Sequence, residues 1–581
     1  MTLYLERKKS TIQEIKSALP YVSSITFDNN KIQIRVENQK GIWGFGERFD
    51  SLDQTGKIRV NKVYEKFTNQ GENTYIPVPF AMLSDFGIFI NTEEIFNFSS
   101  RKIDSSIIIT LDLPSSDEEV FFFVGKPSYQ IKQLFALKGQ PALPPDWSFG
   151  PWMSANRWNS QEIVLKEAEK TQKLGIYHSV LVIEAWSDEA TFYLFNGKKL
   201  WPDPEKMIKD LKSKGIHLIL WQTPVFKKLE EGRYHPIHEK DCLEVVEKDL
   251  VVKNKDGSIY TIPKGRWFAG SMVPDFTKNE TCKWWFDKRQ YLLDMGVDGF
   301  KTDGGEFIYD ESTQFFDGRS GKEMINSYPY SYTHAYSKAI GKDRVLFSRA
   351  GYTGSWTSPM HWAGDQLSTW EEFRHVLNAG LNASVSGIFF WGFDIAGFAG
   401  ALPKTELYLR SFSLSTFVPV MQWHSEPIGG QFSEIMKSED EVNDRSPWNI
   451  AKINNDDTII KVAVKYTNLR KKLMPYIYSE AKISVTEKVP LMQPLFFNWP
   501  QDDVACKIDD EFLFGRSLLI APILEEGKTS RKIYLPEGNW FDVQEDLTIK
   551  GNTWLKRDYE IDAIGVFINL DKKNPLLEGV F

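Results

Sequence analysis

The chain has 581 residues, of which 42% are hydrophobic and 25% charged. That balance excludes a fibrous or bulk-disordered protein. Its 70 basic and 78 acidic side chains leave a net charge of −8, a poor footing for nucleic acid or an anionic membrane surface. The three cysteines, Cys242, Cys282 and Cys506, lie far apart, so neither a disulfide scaffold nor a cysteine zinc site is expected. No run of about 18 uncharged apolar residues suggests a membrane span. The opening residues, MTLYLERKKS, hold no signal-peptide core, and the cytoplasm is the expected compartment.

Residues 1–140 read as a β-sandwich. Short apolar or alternating runs recur at 24–27, 32–36, 88–90, 106–111 and 120–124, separated by turn residues, and no long amphipathic helix is expected after the first twenty residues. Inside this region the segment GIWGFGERFD at 41–50 reads as a loop pinned against another part of the molecule. A proline-rich hinge, PALPP at 141–145, then changes the pattern. Strands are expected at 149–153, 179–184, 217–222, 298–303, 345–349, 361–365, 387–394 and 417–422. Helices alternate with them at 161–174, 204–214, 278–295, 332–340, 370–380 and 404–414. Eight such units make a (β/α)8 barrel spanning 141–485, closed by a helix around 467–483. A second, smaller β domain, 486–581, follows, with strands at 495–497, 517–523, 531–535 and 564–570. The polar stretch 427–449 has the character of a functional loop.

A barrel of this kind places its chemistry at the C-terminal ends of the strands. Those ends read Met153, Glu184, Trp221, Asp303, Arg349, Asp365, Asp394 and, just beyond the last, His424. A lone Asp after a strand is usually a helix cap; four carboxylates with Arg, His and Trp on one mouth are not explained by capping. Lys301 and Arg349 are expected to keep Asp303 ionised, as a nucleophile requires. Trp362 and Trp370 are expected to give Asp365 the apolar surroundings that raise a carboxyl pKa, as a general acid requires. Such a pair serves glycoside hydrolysis. The 19 tryptophans fit either large aromatic cores or the stacking of indole on the C–H face of a sugar. His235 and His238, a close pair with Pro236 between them, are read as surface residues. No metal and no cofactor are expected.

Several motifs resemble glycoside hydrolase family 31, the α-glucosidase and α-xylosidase family. FKTDGGE at 300–306 looks like its nucleophile motif. SRAGYTG at 348–354 with HWAGD at 361–365 looks like its Arg and acid/base block, and FWGFDIAGF at 390–398 resembles its WxxDIGGF segment. Residues 41–50 are similar to the N-domain loop that reaches the active site, and RSPW at 445–448 to the end of the loop after His424. The resemblance implies a retaining exo-α-glycosidase with Asp303 as nucleophile and Asp365 as acid/base. It further implies a sugar pocket lined by Glu184, Trp186, Trp221, Lys301, Arg349, Trp362, Trp391, Asp394 and His424. Glu184 stands where the family usually has Asp. Gly304 stands where xylosidases carry an aromatic, and the room it leaves is expected to admit glucose. The expected substrate is a short α-linked gluco-oligosaccharide, first of all nigerose. An α-xylosidase and then a sulfoquinovosidase, with Arg157 and Lys264 as sulfonate donors, are the alternatives, and an inactive carbohydrate-binding homologue is the non-enzyme reading. The sequence does not fix the oligomeric state; a homo-oligomer is compatible with it.

Overall fold

The computed structural model describes residues 1–155, 158–424 and 444–581. Eight parallel strands close into a barrel in chain order: Pro151–Ala155, Val180–Ile183, His217–Gln222, Gly299–Thr302, Val345–Ser348, Met360–Trp362, Phe390–Asp394 and Val420–Trp423. The eighth pairs with the first, Met421 opposite Pro151. Runs such as VLVI at 180–183 are buried throughout, because helices cover the outside of the barrel and side chains fill the inside. Closure has a latch. Buried Arg470, on the helix Thr458–Ile483, donates to the carbonyls of Phe149, Thr416, Val418 and Pro419 at 2.6–2.7 Å. It thus ties the approach to the first strand to the approach to the last. Removing it would orphan four carbonyls, each at a cost of about 1–3 kcal/mol.

The first domain packs two five-stranded antiparallel sheets over a core of its own. One consists of Thr2–Tyr4, Glu119–Val124, Phe86–Asn91, Pro77–Met82 and Trp43–Gly46; the other of Val22–Asp28, Lys31–Glu37, Ser106–Asp112, Asn97–Ile103 and Ile58–Val60. A helix, Pro127–Lys138, overturns the expectation that this region is strands alone. Its buried positions, Pro127, Gln130, Ile131, Leu134 and Phe135, follow helical spacing, with Gln130 hiding the pattern. Gln130 is polar yet buried, because its amide donates to the carbonyls of Leu83 and Gly125. Residues 41–50 are pinned as expected: Gly46 N donates to Ser386 Oγ at 2.8 Å, and Asn382 Nδ2 donates to Arg48 O at 3.2 Å.

The helix expected at 332–340 is the second half of Gly321–Ile340, which runs through Pro329 and starts at a Ser320/Glu323 capping box. The run 278–295 splits into Asn279–Asp287 and Gln290–Asp294. In the C-terminal domain residues 495–497 are not a strand: Met492–Pro494 is, and Leu495–Asn498 is a helical turn. Strands at Phe512–Phe514, Asn539–Asp542, Leu547–Lys550 and Thr553–Asp558 add to those expected. Most of the stretch 427–449 lies outside the described residues.

Candidate active site

The fourth strand ends at Thr302, and Asp303 follows with its backbone N–H on Gln222 O. Three donors converge on its carboxylate: the Trp221 indole N–H on Oδ2 at 2.9 Å, Gly304 N on Oδ1 at 2.8 Å, and Arg349 Nη1 at 3.1 Å from Oδ1. Lys301, expected beside Asp303, has instead Glu184 as its direct partner, with Nζ 2.7 Å from Oε1. Gly304 takes φ +71, a conformation costly for other residues, and a Cβ there would stand 2.6 Å from Phe307 Cζ and 3.2 Å from Trp267 Cζ3. The room expected at position 304 is therefore filled by two rings from elsewhere in the chain.

Arg349, at the end of the fifth strand, organises one side of the mouth. Its Nε and Nη2 fork onto Glu306 at 3.2 and 3.1 Å, leaving Nη1 between Asp303 and Asp365, 3.1 and 3.8 Å away. The rings of Tyr75 and Trp267 lie 4.8 and 5.1 Å from the guanidinium carbon. Since one nitrogen reaches both carboxyls, those two oxygens can be no more than about 7 Å apart. That bound on one pair of oxygens accommodates the ~5–5.5 Å separation of retaining glycosidases. Burial pushes the Asp365 carboxyl well above the carboxylate range, the charges of Asp303 and Asp394 add to the effect, and Arg349 and Lys301 oppose it. The apolar cover comes partly from an unexpected source. Tyr75 of the first domain lies so close to Gly364 that a Cβ there would stand 2.3 Å from its ring. Trp362 sits instead under Lys301, 4.5 Å from Nζ, and Trp370 is half-buried edge-on to Phe373.

The other side of the mouth is built on Glu184. Its Oε1 meets Lys301 Nζ and, at 2.9 Å, His424 Nε2. Burial would raise its pKa, but the two neighbours outweigh burial and hold it at about 2. Asp394 accepts from Gln422 Nε2 at 2.7 Å through Oδ1, while its buried Oδ2 has no hydrogen-bond partner among the described residues. An unpaired buried carboxylate oxygen costs free energy that a sugar hydroxyl would recover.

Asp303, Asp365, Glu184, Trp221, Lys301, Arg349, Trp362, Asp394 and His424 thus share one mouth. Trp186 and Trp391 stand one layer back. The Trp186 N–H donates to Trp221 O at 3.0 Å and supports the third strand. The Trp391 N–H donates to Glu47 Oε1 at 2.7 Å, and its ring lies against Gly380 on the covering helix Trp370–Val385. Sequence reasoning gave no role to Glu306 or Tyr75, and to Glu47 only a place in the pinned loop 41–50. Glu306 had a signal, three residues after Asp303 across two glycines; Tyr75 had none. His235 and His238 serve the fold. His235 Nδ1 caps the helix Pro236–Glu247 by accepting from His238 N, and His238 is buried with Nε2 on Lys227 O at 2.7 Å. Among the described residues no group of acidic, His or Cys side chains has the geometry of a metal site. No described helix is long and apolar enough to cross a membrane.

The family model for the glycosyl hydrolases family 31 TIM-barrel domain matches residues 141–480, and that for the family 31 C-terminal domain matches 488–571. The isomaltosyltransferase of Sporosarcina globispora is 35% identical over 567 residues, 92% of this chain but only 51% of that protein, so the chain spans about half its length. The 1,3-alpha-isomaltosidase of Kribbella flavida is 34% identical over 589 residues, 96% of this chain and 79% of that one. The structure of a cycloalternan-degrading enzyme from Trueperella pyogenes in complex with isomaltose superimposes with a TM-score of 0.86 at 34% identity, covering 93% of this chain and 81% of that one. The chain belongs to glycosyl hydrolase family 31.

Proposed function

We propose that the protein is a retaining exo-α-glycosidase acting on short α-linked gluco-oligosaccharides. The observation that carries this reading is the single Arg349 nitrogen lying 3.1 and 3.8 Å from two carboxyls, with burial pushing that of Asp365 well above the usual range. Asp303 attacks the anomeric carbon while Asp365 gives its proton to the departing oxygen, leaving a glycosyl ester on Asp303. Asp365, now a carboxylate, takes a proton from water, whose oxygen attacks the same carbon and releases the sugar with its α configuration restored. Glu184, Lys301, Asp394 and His424 hold the hydroxyls of the ring at the non-reducing end by charge-assisted bonds. NMR of the first-formed sugar checks the stereochemistry: an α anomer is expected, and a β anomer overturns the double displacement.

For linkage, the first substrate proposed is nigerose, with glucose released from an α-1,3 bond. A second reading, release of isomaltose from an α-1,3 bond, is supported by the isomaltosyl names of relatives 34–35% identical over more than nine-tenths of the chain. The α-xylosidase reading is weaker, since the matching α-xylosidase of Lactiplantibacillus pentosus is 28% identical. The sulfoquinovosidase reading loses Lys264, which is exposed, while Arg157 lies outside the described residues. An inactive binding protein has no use for two carboxyls, Asp303 and Asp365, sharing one guanidinium nitrogen. Comparing kcat/KM on nigerose, kojibiose, maltose, isomaltose, isoprimeverose and cycloalternan, with the products identified, separates these readings. Glucose from nigerose supports the first, and isomaltose from cycloalternan without action on nigerose supports the second. Isoprimeverose as best substrate overturns both.

A further inference from the structure

Trp554 lies on the strand Thr553–Asp558 of the C-terminal domain, directly opposite Tyr534 on Ser530–Leu535. It is 50% exposed, and among the described residues no other tryptophan is exposed to this degree. The Tyr534 ring supports it at 5.3 Å, and Tyr534 is itself fixed by its hydroxyl on Asp502 Oδ2 at 2.7 Å. Beside the indole opens a cleft of ≈ 470 Å³. Its floor is apolar, with Pro522 and the buried Ile523 and Leu524, and its rim carries Arg374, Arg531 and Lys532.

The walls are preorganised. Arg531 donates to Asp510 O and Glu511 Oε1 at 3.0 Å, and Arg374 Nη2 lies 3.2 and 3.3 Å from the two carboxylate oxygens of Asp509. Arg410, on a barrel helix, donates to the carbonyls of Glu560 and Ala563 at 2.7 and 2.9 Å, fixing this domain against the barrel. The cleft also lies near the catalytic rim. Arg374 follows Thr369, the cap that ends the Asp365 loop, by five residues of helix, about 7 Å of rise.

The occupant is limited by size and chemistry. A volume of this order suits a small ligand, within the roughly 300–1,000 Å³ of such pockets. A stable protein partner needs about 800 Å² on each side, whereas the exposed apolar surface here is one indole. The lining carries Asp510 and Glu525 beside Arg374, Lys528, Arg531 and Lys532, and Arg374 is already paired with Asp509, which disfavours a polyanion. An exposed, rigid indole beside planar guanidinium and carboxylate groups matches a pyranose, with an apolar C–H face and a rim of hydroxyls. We propose that this cleft is a second carbohydrate-binding site, in which Trp554 stacks on a glucose unit of a longer α-linked glucan while Arg374 and Lys532 reach its hydroxyls. The identity of the sugar rests on the proposed function; the existence of the site does not. The site would hold the distal part of a chain, or a second chain, beside the catalytic mouth.

The test uses native gels cast with dextran or with alternan, and calorimetric titration with isomaltoheptaose. The catalytically silenced Asp303→Asn protein should be retarded by at least one polymer. Asp303→Asn/Trp554→Ala should bind about tenfold more weakly, a loss of about 1.4 kcal/mol, and Asp303→Asn/Trp554→Phe should bind in between. In the active protein, Trp554→Ala should leave disaccharide kcat/KM within about twofold, because this exposed ring is no part of the catalytic mouth. Equal retardation with and without Trp554 overturns the proposal, as does no retardation by either polymer. Failure of the functional reading would show separately, as inactivity of the unsubstituted protein on the disaccharide panel.

Discussion

The two sides of the barrel mouth solve opposite electrostatic problems with the same residue types. On one side the Arg349 guanidinium serves three carboxyls, Asp303, Glu306 and Asp365, at 3.1, 3.1 and 3.8 Å. On the other, one carboxylate, Glu184, has both Lys301 and His424 within hydrogen-bond distance. Where anions outnumber cations in a buried site, one carboxyl must keep its proton. The one furthest from the guanidinium, Asp365, is pushed well above the usual range, whereas Glu184 is held at about 2. The charges at contact distance, rather than residue identity, therefore set the two carboxyls apart, and the proposed roles of acid catalyst and hydroxyl-binding anion follow that difference.

The largest effect should come from removing the best-coordinated member of the crowded side. Asp303→Asn should fold normally and lose turnover by several orders of magnitude, because no covalent intermediate can form. Activity above a few per cent of the parent, with deamidation excluded by mass spectrometry, would remove Asp303 from that role. Asp365→Ala comes next. Loss of the proton donor should slow natural disaccharides by about 10²–10⁴-fold and good aryl leaving groups far less, with azide restoring some activity on the latter. Equal losses on both substrate types would mean that Asp365 is not the acid.

Glu306 offers a subtler way to break the comparison. It touches no reacting atom; it positions Arg349. Glu306→Gln should cut kcat by up to ~10²-fold, the scale of a misplaced catalytic group, with little change in KM. It should also move the alkaline limb of kcat/KM to lower pH. With one carboxylate fewer on the guanidinium, Arg349 acts more strongly on Asp365, which then loses its proton earlier. An unmoved alkaline limb alongside reduced kcat would point to a purely structural role.

The barrel and the strand ends that bring Asp303 and Asp365 together were legible because short apolar runs terminate in polar or charged residues, and that order is local. Residue pairing across the mouth is not local. Nothing near residue 301 says that Lys301 turns to Glu184, 117 positions earlier, rather than to Asp303, two positions later. Tyr75 was unreadable for the same reason, since it reaches the barrel from a different domain; of Glu47 only the pinning of its loop was legible, not its bond to Trp391. Trp186 and Trp391 were placed in the pocket by motif. In the structure Trp391 follows Phe390 on a strand whose successive side chains alternate between faces, so that it meets the covering helix and the first domain. The helix Pro127–Lys138 was missed because a polar Gln130 occupies a buried helical position.

The smallest expected effect extends the comparison to stability. Glu511, in the C-terminal domain, is buried like Glu184, but its pKa is pushed up to about 8: burial dominates, and the nearby Asp510 offsets part of the attraction of Arg531. Both start from an ordinary value of 4.5, so their pH dependences have opposite signs. Glu184 binds its proton more weakly when folded, so its contribution to stability is present above about pH 4.5 and is lost as pH falls towards 2. Glu511 binds its proton more tightly when folded, so its contribution is present below about 4.5 and is lost as pH rises through 8. Melting temperatures across pH 3–9 would therefore separate the two variants. Glu184→Gln should melt a few degrees below the parent at pH 7, with the deficit shrinking towards pH 3. Glu511→Gln, whose neutral amide imitates the protonated acid, should match the parent near pH 5 and melt above it at pH 9. If both variants drift in the same direction with pH, the charge-ratio account fails for at least one of the two sites. If only Glu184→Gln behaves as stated, the account holds at the mouth, where Lys301 and His424 both contact Glu184, and fails where one cation faces two carboxyls.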